Sequence, residues 1–187
     1  MHYKTTYHSP LGKMTLASDG QNLTGLWIDG QKHAESTLGR RIEEKSDLAI
    51  FKQTKNWLER YFRGARPAIS ELPLAPAGGT FRQAVWKILR EIPYGQVITY
   101  GEIANRIARE KGLAKMSAQA VGQAVGHNPI SVIIPCHRVV GANGNLTGYA
   151  GGIRLKIKLL AHEGVDTDQF FIPKHCGALT IKTPSFS

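Results

Sequence analysis

Three consecutive residues in the second half of the chain could carry out nucleophilic chemistry: Cys136, His137 and Arg138. Thiolate is the reactive form of cysteine, and cationic neighbours lower the pKa of a thiol from about 8.5. A buried cysteine can also be an inert small hydrophobe, so both interpretations stay open. Side chains of neighbouring residues in a strand point to opposite faces. Cys136 and His137 can therefore cooperate only if Pro135 has turned the chain or a water bridges them.

A Cys–His pair also needs an acid that orients the imidazole. Residues 80–164 hold four acidic residues: Glu91, Glu102, Glu110 and Glu163. Glu102 has a predicted capping role in a helix. Glu163 lies at the end of a predicted helix, where the helix dipole does not favour a carboxylate. Such a position requires a specific partner, and His137 is a plausible one.

Composition excludes several classes of protein. The chain has 187 residues, 42% hydrophobic and 20% charged, which suits one folded domain or two small ones. Two cysteines, Cys136 and Cys176, are too few for a disulfide scaffold or a cysteine-rich zinc site. We expect no bilayer-spanning helix, because no apolar run approaches the necessary length. The chain starts without the apolar core of a signal peptide. With so few cysteines, we expect a reducing, cytoplasmic location.

The charge is unevenly distributed along the chain. The formal net charge is +10. Residues 1–79 hold 11 basic and 8 acidic residues (net +3), whereas residues 80–164 hold 11 and 4 (net +7). A basic segment of this kind attracts a polyanion, most often nucleic acid, although solubility alone would also account for it.

The first half reads as strands followed by one helix. Strands are predicted at residues 3–8, 14–18 and 23–28, separated by turn sequences. Asp47 could cap a helix that reaches Arg63 and carries a broad apolar face. Its aromatic residues are interpreted as core. The Pro- and Gly-rich residues 67–79 are the candidate linker.

The second half predicts several helices. Capping boxes at Thr80/Gln83 and Thr99/Glu102 open the first two, and Ser117 can cap a third over residues 118–126. The last two suggest a helix-turn-helix. Alternating Ala and Gly in the third helix permit close approach of a neighbouring helix or a nucleic-acid groove, and the basic charge favours the groove.

Downstream of these helices the patterns are shorter. Residues 130–134 read as a buried strand because they are β-branched and apolar. Asn143-Gly144 predicts a hairpin turn. A flexible loop is expected at residues 148–152, and a helix from Ile153 that closes at residues 162–164.

The segment Ile-Pro-Cys-His-Arg-Val-Val at residues 134–140 resembles the active-site signature of the O(6)-alkylguanine-DNA alkyltransferases, or methylated-DNA–protein-cysteine methyltransferases. The resemblance spans about residues 78–164. Its further matches lie at residues 148–152, 159–164, 85–86, 92–93, 95 and 99–101. The first 77 residues match only in general plan.

The resemblance implies an α+β fold. Residues 1–77 would form an N-terminal domain with a small antiparallel sheet and a helix, on an RNase H-like plan, together with the linker. Residues 78–164 would form a mostly helical, winged helix-turn-helix-like domain that carries the active site. Residues 165–187 would be a C-terminal extension, in which Cys176 is expected to be an incidental exposed thiol.

The implied activity is repair of alkylated DNA. The alkyl group of O(6)-alkylguanine, with O(4)-alkylthymine as an alternative substrate, would pass irreversibly to Cys136, once per molecule. No cofactor and no metal would take part. The partner would be double-stranded DNA, bound mainly without sequence specificity by a monomer, with the target nucleotide flipped out.

The resemblance also implies a role for each matching residue. Cys136 would accept the alkyl group, His137 would take its proton through a water, and Glu163 would hold His137. Tyr100 would donate a proton to the leaving guanine, and Asn128 would be the hinge that ties the helix-turn-helix to the active-site segment. The residues expected to contact the base or the DNA are Ser117, Ala118, Gln119, Ala120, Arg138, Val139, Tyr149 and Ala150.

The sequence departs from the family pattern at several positions. Gln119 stands where most members have an intercalating arginine, Ala150 replaces a serine, and Lys158 stands where a tryptophan is frequent. The cysteines of the zinc site in some first domains are missing. Three other functions compete with alkyl transfer: a non-catalytic reader of alkylated DNA, a helix-turn-helix regulator and a cysteine hydrolase.

Overall fold

A computed structural model describes residues 1–173. The chain opens with a four-stranded sheet in the order β3-β2-β1-β4. Its strands are β1 (His2–Ser9), β2 (Gly12–Ser18), β3 (Leu23–Ile28) and β4 (Ile42–Glu44). The first three are antiparallel neighbours and confirm the predicted strands. The short β4 runs parallel to β1 and was not predicted, because all three of its residues are exposed and carry no apolar pattern.

Helix α1 (Ala49–Phe62) packs its apolar face against this sheet. Its buried aromatic residues belong to the core, as the sequence predicts. The expectation that Asp47 caps the helix is wrong, since Leu48 occupies the cap position without a side-chain hydrogen bond.

The predicted linker, residues 67–79, is held against the rest of the chain. A 3₁₀ turn (Ile69–Glu71) lies within it, and Leu74 forms a bridge with Leu23 of β3.

Three helices follow in the second half: α2 (Thr80–Glu91), α3 (Tyr100–Glu110) and α4 (Ala118–Gly126). The capping box of Thr99 and Glu102 and the cap at Ser117 are both confirmed. The predicted Thr80 box is wrong: Gly79 occupies the cap position, and the Gln83 amide donates to the Pro76 carbonyl. Helix α4 packs on both α2 and α3, so small residues serve helix packing as well as the outer surface.

Residues 130–134 do not form the predicted strand. A bridge joins Ile130 to Leu26, and the chain then turns, with Val132 at a positive φ of 70°. A 3₁₀ turn (Cys136–Arg138) follows directly and leads into β6 (Val139–Val140), which pairs in parallel with β5 (Ile98–Thr99). Residues 130–134 are all buried, as their apolar side chains indicate, but they lie in turns and do not form a ladder of strand hydrogen bonds.

The Asn143-Gly144 turn forms, but the predicted hairpin does not. Both residues have positive φ, 57° and 79°, and the Asn145 amide donates to the Ala142 carbonyl at 3.2 Å. The flanking segments are not paired antiparallel strands, since the partner of β6 is β5. Helix α5 (Ile153–His162) closes as expected, with Gly164 at a φ of 78°.

The first residues beyond α5 pack on the second half of the chain. Phe170 is buried in a small cluster with Val140, Leu146 and Leu160. Cys176 lies outside the described residues. Within residues 1–173, no helix is long and apolar enough to cross a membrane.

Candidate active site

Asn128, two residues after α4, fixes the chain that leads to the cysteine. Its side-chain amide donates to the Ile134 carbonyl at 2.8 Å and to Sγ of Cys136 at 3.1 Å. Its side-chain oxygen accepts from the Ile130 amide at 3.0 Å. One buried side chain therefore links α4 to the turn that holds Cys136, which is the geometry expected of the hinge.

Cys136 is 4% exposed. Burial raises the pKa of its thiol, and this effect outweighs the opposing influence of the Asn128 hydrogen bond and the Lys156 charge. The expected lowering of the thiol pKa by a cation is present, from Lys156, but burial outweighs it. At neutral pH the thiol keeps its proton, so a base must remove it during the reaction.

Glu163 is the most heavily hydrogen-bonded carboxylate in the described part of the chain. Oε1 lies 2.7 Å from His137 Nε2, 2.7 Å from the Tyr61 hydroxyl and 2.9 Å from Arg138 Nη2. Oε2 accepts from Arg138 Nε at 2.7 Å and from the Gly95 amide at 3.2 Å. Burial pushes the pKa of the carboxyl upward, but the hydrogen bonds and charges of His137 and Arg138 outweigh it and leave the pKa well below its usual range. Glu163 is therefore ionised.

The ionised carboxylate determines the tautomer of His137. A carboxylate only accepts hydrogen bonds, so Nε2 of His137 carries the hydrogen. Burial lowers the pKa of this imidazole despite the opposing pull of Glu163, so the ring is neutral. Its other nitrogen, Nδ1, is buried and has no hydrogen-bond partner among residues 1–173. His137 thus presents an unprotonated nitrogen in the same 3₁₀ turn as Cys136, and we call Cys136, His137 and Glu163 the relay.

Arg138 does not lie where a DNA contact requires it. It is 6% exposed, and beyond Glu163 it donates to the Ile92 carbonyl at 2.6 Å. We therefore reassign Arg138 from DNA binding to holding Glu163. Tyr61, in α1, also donates a hydrogen bond to Glu163, although the sequence pattern indicated only a core aromatic residue at this position.

Lys156 is a second residue that the sequence analysis missed. It is fully buried in α5, and Nζ donates to the Val139 carbonyl at 2.5 Å and to the Thr147 carbonyl at 2.9 Å. Burial lowers the pKa of its amine to about 8. A signal existed, because Lys156 lies three residues after Ile153 and four before Leu160, on the predicted apolar face of α5.

A cleft of about 650 Å³ opens beside α4, and we call it the base cleft. Its lining comprises Lys32, His33, Tyr100, Gly101, Ala118, Gln119, Gly122, Gln123, Gly126, His127, Ala142, Thr147, Gly148, Tyr149 and Ala150. Tyr100 donates to the Thr147 carbonyl at 3.1 Å. Burial, followed by the charge of the Cys136 thiolate, raises the pKa of Tyr100 far above its usual value, so the phenol stays protonated.

The other predicted contact residues are distributed between this cleft and its surroundings. Ala118 and Gln119 line the cleft with exposed side chains, Ser117 caps α4, and Ala120 is half-buried. Val139 is fully buried and absent from the lining, so its contribution is the carbonyl that Lys156 holds.

The first half of the chain contributes one wall of the base cleft, which the sequence did not indicate. The Lys32 amide donates to the Ala150 carbonyl at 3.0 Å. The His33 ring stacks on His127, at the end of α4, with 4.2 Å between ring centroids. Segments far apart in the sequence therefore meet at the edge of the cleft.

Comparison with known proteins gives matches along almost the whole chain. Two family models match: the DNA binding domain of 6-O-methylguanine DNA methyltransferase at residues 80–165, and its ribonuclease-like domain at residues 2–76. A methylated-DNA–protein-cysteine methyltransferase of Haemophilus influenzae is 41% identical over 163 residues, 87% of each chain. One from Methanosarcina acetivorans is 40% identical over 167 residues, 87% of this chain and 98% of that relative. The fold matches Mycobacterium tuberculosis OGT in complex with DNA with a TM-score of 0.74, at 40% identity over 90% of this chain and 94% of that one.

Proposed function

Because this chain belongs to the 6-O-methylguanine DNA methyltransferase family, we propose that it repairs DNA by moving the alkyl group of O(6)-alkylguanine to Sγ of its own Cys136. The observation that carries the proposal is the unpartnered Nδ1 of His137, held in the acceptor tautomer by Glu163 in the turn that also contains Cys136. A thiol with a raised pKa needs such a base.

The chemical step is a displacement at a saturated carbon. Nδ1 of His137 takes the thiol proton, directly or through one water, and the sulfur attacks the carbon attached to O(6). The bond between that carbon and O(6) breaks, and its electron pair stays on the guanine. The raised pKa of Tyr100 keeps its phenol protonated until the reaction, and Tyr100 then donates this proton to the departing guanine. Asn128 stabilises the developing thiolate through its hydrogen bond to sulfur.

The product explains why each molecule acts once. A thioether has no electrophilic carbonyl that water could attack, unlike the thioester of a cysteine hydrolase. The relay has no second step that would release the alkyl group, so Cys136 stays modified. Neither a metal nor a cofactor has a role in this sequence of bond changes.

We propose that the base cleft receives the flipped guanine and that α4 lies against the DNA. Tyr149 and Ala150 line the cleft, while Gln119 is exposed at the start of α4. The net charge of +7 in residues 80–164 favours contacts with phosphates, and the Ala- and Gly-rich α4 has few side chains that could read bases. Binding is therefore largely independent of sequence. We further propose that the protein acts as a monomer in the cytoplasm.

The decisive experiment is mass spectrometry after incubation with duplex DNA that contains O(6)-methylguanine. We expect one methyl group on Cys136 and a yield that stops at one equivalent. Cys136→Ser should abolish transfer yet still bind the duplex, while the matched control Cys176→Ser should react as the wild type does. Sustained turnover, label on Cys176 or binding without any label would each refute the proposal, the last in favour of a non-catalytic reader.

A further inference from the structure

One side chain of the first half of the chain reaches the relay. Tyr61 lies in the last turn of α1 and is 1% exposed. Its hydroxyl lies 2.7 Å from Oε1 of Glu163, a residue 102 positions later in the sequence. The same oxygen receives the hydrogen bond of His137 Nε2, so Tyr61 and His137 share one acceptor atom.

Tyr61 is fixed from several sides. Its backbone carbonyl lies 2.8 Å from Nε2 of His162, the residue before Glu163. Its ring stacks on Trp57 at 5.5 Å and lies against the His162 ring at 5.1 Å. Two polar contacts thus join the end of α1 to the end of α5, and the phenol cannot rotate away from Glu163 without disturbing this packing.

The charges around Glu163 define what the phenol can do. Burial, and then the Glu163 charge, raise the pKa of Tyr61 well above its usual value, so the hydroxyl remains a donor. The other groups that face the carboxylate are Arg138, His137 and the Gly95 amide. Tyr94 lies nearby, with its ring against the Arg138 guanidinium at 5.7 Å. Within this set, Tyr61 is the neutral side-chain donor that comes from the N-terminal half.

We propose that Tyr61 is a positioning residue for alkyl transfer: its hydroxyl holds Oε1 of Glu163 in place and shares the carboxylate charge with His137. The proposal rests on the proposed function and extends it, because it gives the N-terminal half a direct part in the chemistry at Cys136. Tyr61 acts through Glu163 and touches neither the sulfur nor the alkyl group.

The consequence for His137 has a defined sign. When a donor to Glu163 is lost, the carboxylate charge is less satisfied and attracts an imidazolium more strongly. The pKa of His137 then rises. Because the reaction needs neutral His137 as the base, the acidic limb of the rate profile should move to higher pH. A stronger donor at position 61 should move that limb to lower pH.

The test compares Tyr61→Phe with the control Thr54→Val in single-turnover transfer from O(6)-methylguanine duplex across pH. Thr54 lies in the same helix, is fully buried and donates its hydroxyl to the Ile50 carbonyl at 2.8 Å, away from Glu163. We expect Tyr61→Phe to slow transfer by about tenfold, the scale of one hydrogen bond to a buried charge. Its acidic limb should move to higher pH, while Thr54→Val keeps the wild-type rate and profile.

NMR titration of His137 in the unalkylated proteins gives a readout that does not depend on transfer. It should show a higher His137 pKa in Tyr61→Phe. If that variant does not fold, 3-fluorotyrosine at position 61 keeps the hydroxyl as a stronger donor and should lower the His137 pKa. An unchanged His137 titration in either protein would overturn the proposal, as would equal rate losses in Tyr61→Phe and Thr54→Val. Failure of the wild type to alkylate Cys136 would instead refute the proposed function, and the titration would still test the Tyr61 contact.

Discussion

Two regions near Cys136 are built in opposite ways. One region surrounds Glu163, with five hydrogen-bond donors on one buried carboxylate. The base cleft does not include Cys136 in its lining but contains Tyr100 and Tyr149, whose pKa values the Cys136 charge raises, and its α4 wall has exposed or half-buried small residues such as Ala118 and Gly122. The hydrogen bonds around Glu163 allow one arrangement of atoms, whereas the α4 wall of the cleft presents mainly small side chains and backbone groups to a ligand.

This difference follows from what each region must accomplish. Proton transfer needs a base of defined tautomer, and the crowded carboxylate supplies it by orienting His137. A repair protein must meet its lesion in any sequence context, so side chains that read neighbouring bases would restrict it. Substitutions in the relay should therefore slow or abolish alkyl transfer, and substitutions at the cleft should change how DNA is bound.

The largest expected effect comes from Glu163→Gln. The amide nearly preserves shape but removes the charge that orients His137, and it leaves the Arg138 guanidinium buried without its partner. We expect transfer to slow by about two to three orders of magnitude. The free energy of unfolding should fall by about 3–5 kcal/mol, as when one member of a buried ion pair is removed. Single-turnover kinetics and denaturant unfolding measure the two effects.

The matched control is Glu102→Gln in an exposed capping box, which should leave both stability and transfer rate close to wild type, because glutamine at this position also completes a capping box. The pH dependence adds a second readout. The pKa of Glu163 is lower in the folded protein, so its stabilisation is present above about pH 4 and is lost as pH falls through the folded pKa. Acid unfolding of Glu163→Gln should lack this component. Identical acid curves would contradict the assigned role of the carboxylate.

Lys156→Met probes the boundary between the two regions. Lys156 lies on α5 near the relay, but its ammonium binds the Thr147 carbonyl, which Tyr100 also uses. Its charge lowers the thiol pKa in part, so the variant should raise the Cys136 pKa and slow transfer by about tenfold. Because the Lys156 pKa is about 8, the wild type should lose this assistance as pH rises through that value. The neighbouring exposed Lys158→Met is the control, and a rate equal to wild type in Lys156→Met would show that the amine only fills space.

Local signals predicted most of the helices and strands correctly. The capping box of Thr99 and the cap at Ser117 lie within a few residues of the helices that they begin, so the sequence contains the whole interaction. The apolar run at residues 130–134 indicated burial correctly but not conformation. Burial there is achieved by turns that the Asn128 side chain holds, and such a chain path has no periodic pattern.

The candidate site was predictable where a contiguous motif carried it and not where the fold brought distant residues together. The relay residues follow from the motif at residues 134–140 and from Glu163. Tyr61 and His33 reach the site across long sequence separations. Arg138, which the family resemblance led us to expect at the DNA, is instead buried against Glu163. Only the packing of α1 against the end of α5 shows that Tyr61 has a polar partner.

Gln119 should give the smallest effect and the most direct test of the contrast between relay and cleft. Its side chain is exposed at the second position of α4, where it can fill the space left by a flipped base and hydrogen-bond the orphaned partner. Unstacking a base costs a few kcal/mol, and less for a damaged pair, so a neutral wedge suffices for lesions. We expect Gln119→Gly to slow repair of duplex DNA by about three- to tenfold while reaction with the free alkylated base stays unchanged.

Gln119→Arg should tighten duplex binding and steepen its salt dependence, because a cation adds a phosphate contact. The measurements are single-turnover rates on both substrates and duplex binding at several salt concentrations. If Gln119→Gly repairs the duplex as fast as the wild type, Gln119 is a solvated surface residue. If Gln119→Gly loses rate equally on both substrates, α4 and the relay are not functionally separate.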